Sequence, residues 1–178
     1  MKIKKFEDFI NENYSDDLMS VSTDEMIEMI LDSIENENGG KLLFSTERLG
    51  RGINGKHILN NLVNNHEDVI NTESIVWFDT MNGRMVTPEG NIDYYSNNNL
   101  KNEISNYINN DNVKLIVFDY EPNIFKEFMN ATLTIENKTC VIFIENDDLD
   151  RLPNGLFNKR GFATYSVYSG SNWKSFRN

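Results

Sequence analysis

The chain has 178 residues, and 28 Asp and Glu against 17 Lys and Arg give it a formal net charge of −11 at pH 7. That length suits one domain of ordinary size, and 39% hydrophobic residues can form a normal core. The excess of acidic residues argues against sequence-specific DNA binding, because contacts with DNA phosphates require a positively charged surface. No apolar run approaches the roughly 20 residues that cross a bilayer, so we expect no membrane association and a cytoplasmic location. The single cysteine, Cys140, excludes an intrachain disulfide.

The first 40 residues predict helices. Residues 1–14 place lysines before apolar residues at helical spacing, which indicates a short amphipathic helix. Ser22 and Glu25 have the spacing of a capping box and precede an i, i+3, i+4, i+7 apolar pattern, so a second helix is expected to run from there to the following glycine pair. We therefore assign residues 1–40 to a helical leader and helix, and residues 41–178 to the main domain.

After residue 40, short apolar runs alternate with longer polar segments of helical character. The runs are rich in Val, Ile, Phe and Tyr, as expected of strands covered on both faces. The predicted strands are Lys41–Ser45, Ser74–Phe78, Val113–Phe118, Thr139–Ile144 and Phe162–Tyr168. The predicted helices between them are His57–Asn65, Asn98–Asn110, Pro122–Asn130 and a short piece at Pro153–Asn158. This order predicts a three-layer α/β fold with a mostly parallel five-stranded sheet and helices on both faces.

A phosphate-binding motif follows the first of these strands. Gly50, Gly52, Gly55 and Lys56 lie in the G-x-x-x-x-G-K spacing, between a predicted strand and a predicted helix. Glycines let backbone N–H groups turn toward phosphate oxygens, and Lys56 would reach the terminal phosphates. His57 is a further nucleotide-binding candidate, at the position where a Ser or Thr hydroxyl would bind Mg²⁺. The alternative is a glycine-rich turn with a solvated lysine.

Two acidic residues follow the third predicted strand. Asp119 ends the apolar run, and Glu121 comes after Tyr120. P-loop NTPases place a carboxylate near the Mg²⁺ ion at such a strand end, and the next acidic residue activates the attacking water. Because strand side chains alternate, Asp119 and Glu121 would share a face if the strand continued that far. The alternative is that both residues end a strand and begin a helix at Pro122, where acidic side chains are favoured.

A longer pattern occupies residues 140–167. An apolar strand runs into Asn146, and a leucine-proline pair, a small residue, apolar residues and Arg160 then lead to the last strand. Here the sequence resembles the AAA+ branch of P-loop ATPases, over roughly residues 41–168. The resemblance implies that Asn146 is the polar sensor residue at the end of the fourth core strand. It also implies that Arg160 reaches the nucleotide of a neighbouring subunit, in a homo-oligomer or beside a partner ATPase subunit.

The same resemblance implies ATP and Mg²⁺ as cofactors, with Asp119 on the metal and Glu121 as the water activator. The chain departs from the family pattern at His57 and at Tyr120, and no helical lid follows the fifth predicted strand. We therefore expect an ATP-binding domain in which ATPase activity is weak or lost.

The amino-terminal segment suggests a second class of function. Residues 1–12 resemble the head-targeting leader on internal proteins of large tailed phages, and the sequence Ile10-Asn11-Glu12 fits cleavage after Glu12. The abundance of Asn and of other residues with AT-rich codons agrees with a phage origin, which would place the protein in the host cytoplasm or the virion interior. The alternative is an ordinary amphipathic first helix. The competing functional hypothesis is a non-enzymatic phage interaction protein or internal virion protein that uses a degenerate P-loop scaffold.

Overall fold

A computed structural model gives the fold of the chain. The residues that the structure describes are 18–36, 38–46, 60–79, 84–86, 92–94, 100–119, 130, 132, 135–152 and 156–167. Within them lie the strands β1 (Met19–Val21), β2 (Lys41–Thr46), β3 (Ile75–Asp79), β4 (Arg84–Val86), β5 (Ile92–Tyr94), β6 (Leu115–Asp119), β7 (Thr139–Glu145) and β8 (Ala163–Val167). The helices are α1 (Thr23–Glu35), α2 (residues 60–65), α3 (Leu100–Ile108) and α4 (Asn146–Leu149).

All eight of these strands form one sheet, in the order β1-β8-β2-β7-β6-β3-β4-β5. The first six strands in that order are mutually parallel. Strands β4 and β5 continue the sheet in antiparallel fashion beyond β3. The protein is therefore an α/β fold built on six parallel strands, and β2, β7 and β6 lie at the centre of the sheet.

The central strands are buried on both faces, which explains why their sequences are apolar without alternation. One face carries Phe44, Trp77, Val117 and Phe143 and packs against the apolar residues of α1 and α2. The other face carries Leu43, Phe78, Phe118 and Ile142, and packs against partly buried side chains of α3 and α4. Stacked rings strengthen each layer, for example Phe44 on Phe143 and Phe78 on Phe118. Helices thus cover the two faces of the sheet.

Helix α1 begins as the sequence predicts. Ser22 is its N-cap: the hydroxyl accepts a hydrogen bond from the backbone N–H of Glu25, and the Glu25 carboxylate accepts one from the backbone N–H of Ser22. These two bonds satisfy donors that the first turn of a helix leaves without partners. Met26, Ile27 and Ile30 then point into the core. The predicted capping box is confirmed.

A tight connection joins α1 to β2. Gly39 has φ 63° in the left-handed region, and a Cβ atom there would overlap the backbone of Lys138. Gly40 accepts a hydrogen bond from the backbone N–H of Cys140 at 2.7 Å. The hydroxyls of Ser33 in α1 and Thr139 in β7 are 3.1 Å apart, so they tie the helix to the same region. Glycine is therefore required at residue 39 for both its backbone conformation and its lack of a side chain.

The predicted parallel α/β fold is confirmed, and its five strands correspond to β2, β3, β6, β7 and β8 with ends within two residues. The predicted strand number was too low. Residues 19–21, which we had placed in a helical segment, form β1 at the sheet edge, and β4 and β5 lengthen the sheet at the other side. Each of these strands has only three residues, which is too short for a periodic pattern to show. The division of the chain at residue 40 stays a prediction.

Within the described ranges, no helix has both the length and the apolar character that crossing a bilayer requires. This finding agrees with the absence of a long apolar run in the sequence.

Candidate functional site at the carboxyl edge of the sheet

Four neighbouring parallel strands end at one edge of the sheet. Because β2, β7, β6 and β3 run in the same direction, their carboxyl ends are side by side. The register pairs Thr46 with Glu145 and Asp79 with Asp119. The three elements that we predicted to carry chemistry follow β2, β6 and β7 along the chain, so the sheet brings the starting points of all three together. We refer to this region as the carboxyl edge.

Asp119 is the predicted metal ligand, and it ends β6. Its side chain is buried, with 7% of the residue exposed, and its Oδ2 accepts a hydrogen bond from the Trp77 indole Nε1–H at 2.8 Å. Burial raises the pKa of Asp119 to about 7; the Trp77 hydrogen bond opposes this rise and the nearby Asp79 charge adds to it. Asp119 is therefore a carboxyl group that changes charge near neutral pH.

Asp79 lies beside Asp119 and was not among the predicted site residues. It ends β3, is fully buried, and is the register partner of Asp119 on the same face of the sheet. Its signal was present in the sequence, because an apolar run ends in Phe78-Asp79 just as β6 ends in Phe118-Asp119. The structure thus places Asp79 beside the predicted metal ligand at the carboxyl edge.

Asn146, the predicted sensor, is the first residue of α4 and directly follows β7. Its Oδ1 accepts a hydrogen bond from the hydroxyl of Ser45, which is buried in the adjacent strand β2. This bond links the end of β7 to the end of β2, the strand from which the predicted phosphate-binding loop departs. The sequence did not indicate the hydrogen bond from Ser45 to Asn146, because this contact depends on the pairing of β2 with β7.

Arg160, the predicted arginine that contacts a neighbouring subunit, lies away from the carboxyl edge. It is half-buried at the end of a short 3₁₀ helix, Asn158–Arg160, just before β8 begins. Because β8 is parallel to β2, this position is on the side of the sheet where the parallel strands start. Within one chain, the structure does not bring Arg160 together with Asp119 and Asn146.

The other predicted site residues lie outside the described residues. They are Gly50, Gly52, Gly55, Lys56, His57 and Glu121. The leader at residues 1–12 and most of the predicted helix Pro122–Asn130 lie outside them as well. The assigned roles of these residues stay predictions.

Helix α4 is acidic and begins at the carboxyl edge. Asp148 is buried and lies 3.5 Å from the Nη1 atom of Arg151, so the protein itself supplies a cation for this carboxylate. Among the described residues, no group of three or more His, Cys, Asp or Glu side chains could hold a metal ion. A metal at the carboxyl edge would therefore need oxygen ligands from a bound nucleotide, from water or from the remainder of the chain.

A cavity of about 560 Å³ opens near the amino ends of β6 and β7, at the opposite edge of the sheet. Its lining includes Lys114, Lys138 and Asp111. The Nζ of Lys138 donates hydrogen bonds to the backbone carbonyls of Asn110 and Val113, each at 2.7 Å. Lys138 thus holds the turn before β6 in place, and the cavity lies away from the predicted site.

The fold and the carboxyl edge together define a parallel-sheet α/β protein with buried acidic side chains and one fixed amide where the central strands end. Comparison of the chain with protein-family models and with curated proteins finds no match.

Proposed function

We propose that the chain is an ATP-binding, P-loop NTPase-like domain of the AAA+ type with weak or lost hydrolysis. The observation that carries the proposal is the adjacency of β2, β7 and β6 in the parallel sheet. The predicted phosphate loop, the sensor residue and the predicted metal ligand follow these three strands. In open parallel sheets, ligands bind beyond the carboxyl ends of the strands, so one ligand could contact all three elements.

Strand spacing makes such a shared ligand geometrically reasonable. Neighbouring strands lie roughly 4.8 Å apart, so β2 and β6, with β7 between them, are separated by roughly 10 Å. In the proposed complex, the backbone N–H groups of residues 50–56 would bind the phosphates and Lys56 would neutralise their charge. The Nδ2–H₂ group of Asn146 would donate to a phosphate oxygen, because its Oδ1 accepts from Ser45.

Asp119 fits a magnesium ligand in its chemistry. A carboxylate oxygen is a hard donor of the kind that Mg²⁺ prefers, usually together with water and substrate phosphates. Burial raises the pKa of Asp119 to about 7, so the side chain is partly protonated at neutral pH without a cation. A bound divalent cation would favour the ionised form and would release the proton. Metal affinity should therefore increase between pH 6 and pH 8.

Arg160 would act on a neighbouring subunit, since it lies on the side of the sheet away from Asp119. This part of the proposal requires a homo-oligomer or a complex with a partner ATPase subunit. Hydrolysis would be weak because His57 replaces the hydroxyl ligand and Tyr120 separates the two acidic residues.

The test is calorimetry with Mg-ATP at millimolar concentration. We expect measurable binding to the wild-type chain and a loss of affinity of at least tenfold in Lys56→Ala, because the lysine charge on the phosphates is removed. Lys159→Ala is the matched control, since Lys159 is exposed near the start of β8, and it should bind as the wild type does. Absence of heat with the wild type, or equal affinity in Lys56→Ala and the wild type, would contradict the proposal.

The alternative is a non-enzymatic phage interaction protein or internal virion protein on the same scaffold. The burial of Asp119 favours it, because a carboxyl group that shares a hydrogen bond with Trp77 in the core can serve the fold alone. The calorimetric experiment separates the two hypotheses: a folded wild-type chain that takes up no nucleotide would leave the alternative as the better account.

A further inference from the structure

Glu145, the last residue of β7, was not among the predicted site residues. The register of β6 with β7 pairs Asp119 with Phe143, and β7 continues for two residues beyond that pair. Counted along this register, Glu145 is at the level of residue 121. Glu145 therefore supplies a carboxyl group from the neighbouring strand at the level where the sequence predicted the water-activating Glu121.

Glu145 shares a face of the sheet with Asp119. Side chains on one face recur at every second residue, and Phe143 and Val117 both belong to the apolar layer that packs against α1 and α2. Glu145 follows Phe143 by two residues, and Asp119 follows Val117 by two. With roughly 4.8 Å between strands and roughly 3.3 Å per residue, the Cα atoms of Glu145 and Asp119 are roughly 8 Å apart. This separation leaves room for a water molecule between the two side chains.

The chain segment with the predicted phosphate-binding loop is attached on the same face. It begins after Thr46, which is the register partner of Glu145 and follows Phe44 of the same apolar layer by two residues. It ends at α2, whose Leu62 packs in that layer. Both ends of the segment are thus fixed on the side of the sheet where Glu145 lies, so phosphates bound by residues 50–56 would lie near its carboxyl group.

Helix capping does not account for the Glu145 carboxyl group. Glu145 is the N-cap residue of α4, yet its side chain makes no capping hydrogen bond in this helix. The residue is half-buried and directly precedes Asn146, whose Oδ1 accepts a hydrogen bond from Ser45. A central strand therefore carries this carboxyl group to the carboxyl edge, beside the predicted sensor residue.

We propose that Glu145 is a catalytic residue, whose carboxylate accepts a proton from the water that attacks the γ-phosphorus of the substrate ATP. The water oxygen forms a bond to phosphorus, the bond from phosphorus to the ADP oxygen breaks, and ADP and inorganic phosphate are the products. The proton passes to Glu145 and then to solvent. The inference rests on the proposed function, and it assigns to Glu145 the role that the family resemblance implies for Glu121.

The first experiment compares the affinities for Mg-ATP and Mg-ADP by calorimetry. A carboxylate beside the γ-phosphate repels a charge that ADP lacks. For like charges roughly 6 Å apart in a water-like medium this repulsion changes affinity roughly threefold. Glu145→Gln should therefore bind Mg-ATP roughly threefold more tightly than the wild type and bind Mg-ADP equally well. An unchanged ratio of the two affinities would overturn the inference, because a merely structural role does not distinguish ATP from ADP.

Glu136→Gln is the matched control for the loss of a negative charge. Residue 136 is exposed and lines the cavity at the opposite edge of the sheet. The variant should bind Mg-ATP and Mg-ADP as the wild type does. A rise in Mg-ATP affinity equal to that of Glu145→Gln would assign the effect to the net charge of the protein and would overturn the inference.

The second experiment measures phosphate release at saturating Mg-ATP. A positioned proton acceptor contributes roughly 100-fold to a rate, so Glu145→Gln should lower the rate by about that factor. Glu145→Asp keeps the charge but withdraws it by one methylene, so it should retain the wild-type ratio of affinities and still lose rate. The aspartate variant also decides the inference if Glu145→Gln does not fold. A larger loss of rate in Glu121→Gln than in Glu145→Gln would overturn the inference.

The outcomes separate this inference from the proposed function. A wild type that takes up neither nucleotide would contradict the proposed function and the role of Glu145 together. A wild type that binds Mg-ATP but releases no phosphate would overturn only the role of Glu145. The same holds if Glu145→Gln keeps both the wild-type ratio of affinities and the wild-type rate.

Discussion

At the scale of single residues, the state of Asp119 results from opposing effects. Burial and the neighbouring Asp79 disfavour its charge, whereas the indole N–H of Trp77 favours it. Burial has the largest effect, so the folded protein retains a proton on Asp119 at pH values where the unfolded chain has released it. Burial of Asp119 therefore lowers the stability of the native state at alkaline pH, and strongly shifted carboxyl pKa values are common at functional sites.

We predict that Asp119→Asn stabilises the protein at pH 8. The pKa of Asp119 rises from its ordinary value of 3.8 to about 7 on folding. The free energy of unfolding of the wild type should therefore fall as the pH rises from about 4 to about 7, and Asp119 should not lower it further above pH 7. At about 1.4 kcal/mol for each pH unit, the penalty above pH 7 is about 4 kcal/mol in wild type relative to the asparagine variant. Asparagine keeps an oxygen that can accept from Trp77.

Urea denaturation between pH 4 and pH 9 measures this effect. The two proteins should have similar free energies of unfolding near pH 4 and should diverge as the pH rises. Asp150→Asn, an exposed change of the same type, should leave the pH profile unaltered. A constant difference between Asp119→Asn and wild type over the whole range would contradict the explanation.

At the scale of elements, the central strands follow from sequence and the edge strands do not. The runs that form β6 and β7 have enough consecutive Val, Ile and Phe residues to indicate buried strands, and their order along the chain implies parallel pairing. Strand β1 has three residues, and only its pairing with β8 makes it a strand. Tertiary contacts that the sequence does not reveal therefore determine the width of the sheet.

The candidate site was predictable to a similar extent. The positions of Asp119 and Asn146 at strand ends followed from the apolar runs that precede them. The bond from Trp77 to Asp119 joins residues that are 42 positions apart, so it depends on which strands pair and in what register. The contact between Ser45 and Asn146 depends on the pairing of β2 with β7 in the same way. Sequence indicated the candidate site residues Asp119 and Asn146 but not Trp77 and Ser45, which donate hydrogen bonds to them.

The connection from α1 to β2 gives a prediction at this scale. Gly39→Ala should lower the free energy of unfolding by more than about 2 kcal/mol, because alanine disfavours the left-handed conformation and its Cβ would overlap the backbone of Lys138. Gly161→Ala is the matched control: Gly161 also has positive φ, at 81°, but the space beside it is open. It should cost only about 1 to 2 kcal/mol, for the backbone conformation alone. Equal losses in urea denaturation would show that the overlap is relieved at no cost.

At the scale of the whole molecule, the sheet separates two apolar layers, and its central strand β7 is buried on both faces. Cys140 lies in β7, next to β2 and β6, and is fully buried. Burial raises the pKa of its thiol to about 12. Since the thiolate is the reactive form of cysteine, Cys140 should react only when the centre of the sheet opens.

We predict that 5,5′-dithiobis(2-nitrobenzoate) leaves Cys140 unmodified in the native protein at pH 8. As urea is added, thiol labelling should appear with the same midpoint as the loss of far-UV circular dichroism, because the central strand separates only when the domain unfolds. Glu136→Cys is the control, since residue 136 is exposed and its new thiol should react at once. Labelling of Cys140 at urea concentrations where the ellipticity is still native would reveal local opening of β7.

The order of strands also sets when the protein can fold during its synthesis. Strand β2 is flanked by β7 and β8, and β8 lies between β1 and β2. A ribosome that has produced β1 and β2 has therefore made two strands that do not pair with each other and whose partners begin near residues 139 and 163. Such long-range pairing slows folding, and the hydrogen-bonding edges of β2 have no strand partner until β7 and β8 have been made. Strand β8, which lies between β1 and β2, is the last of the eight described strands to be made, and only then can β1 join the sheet.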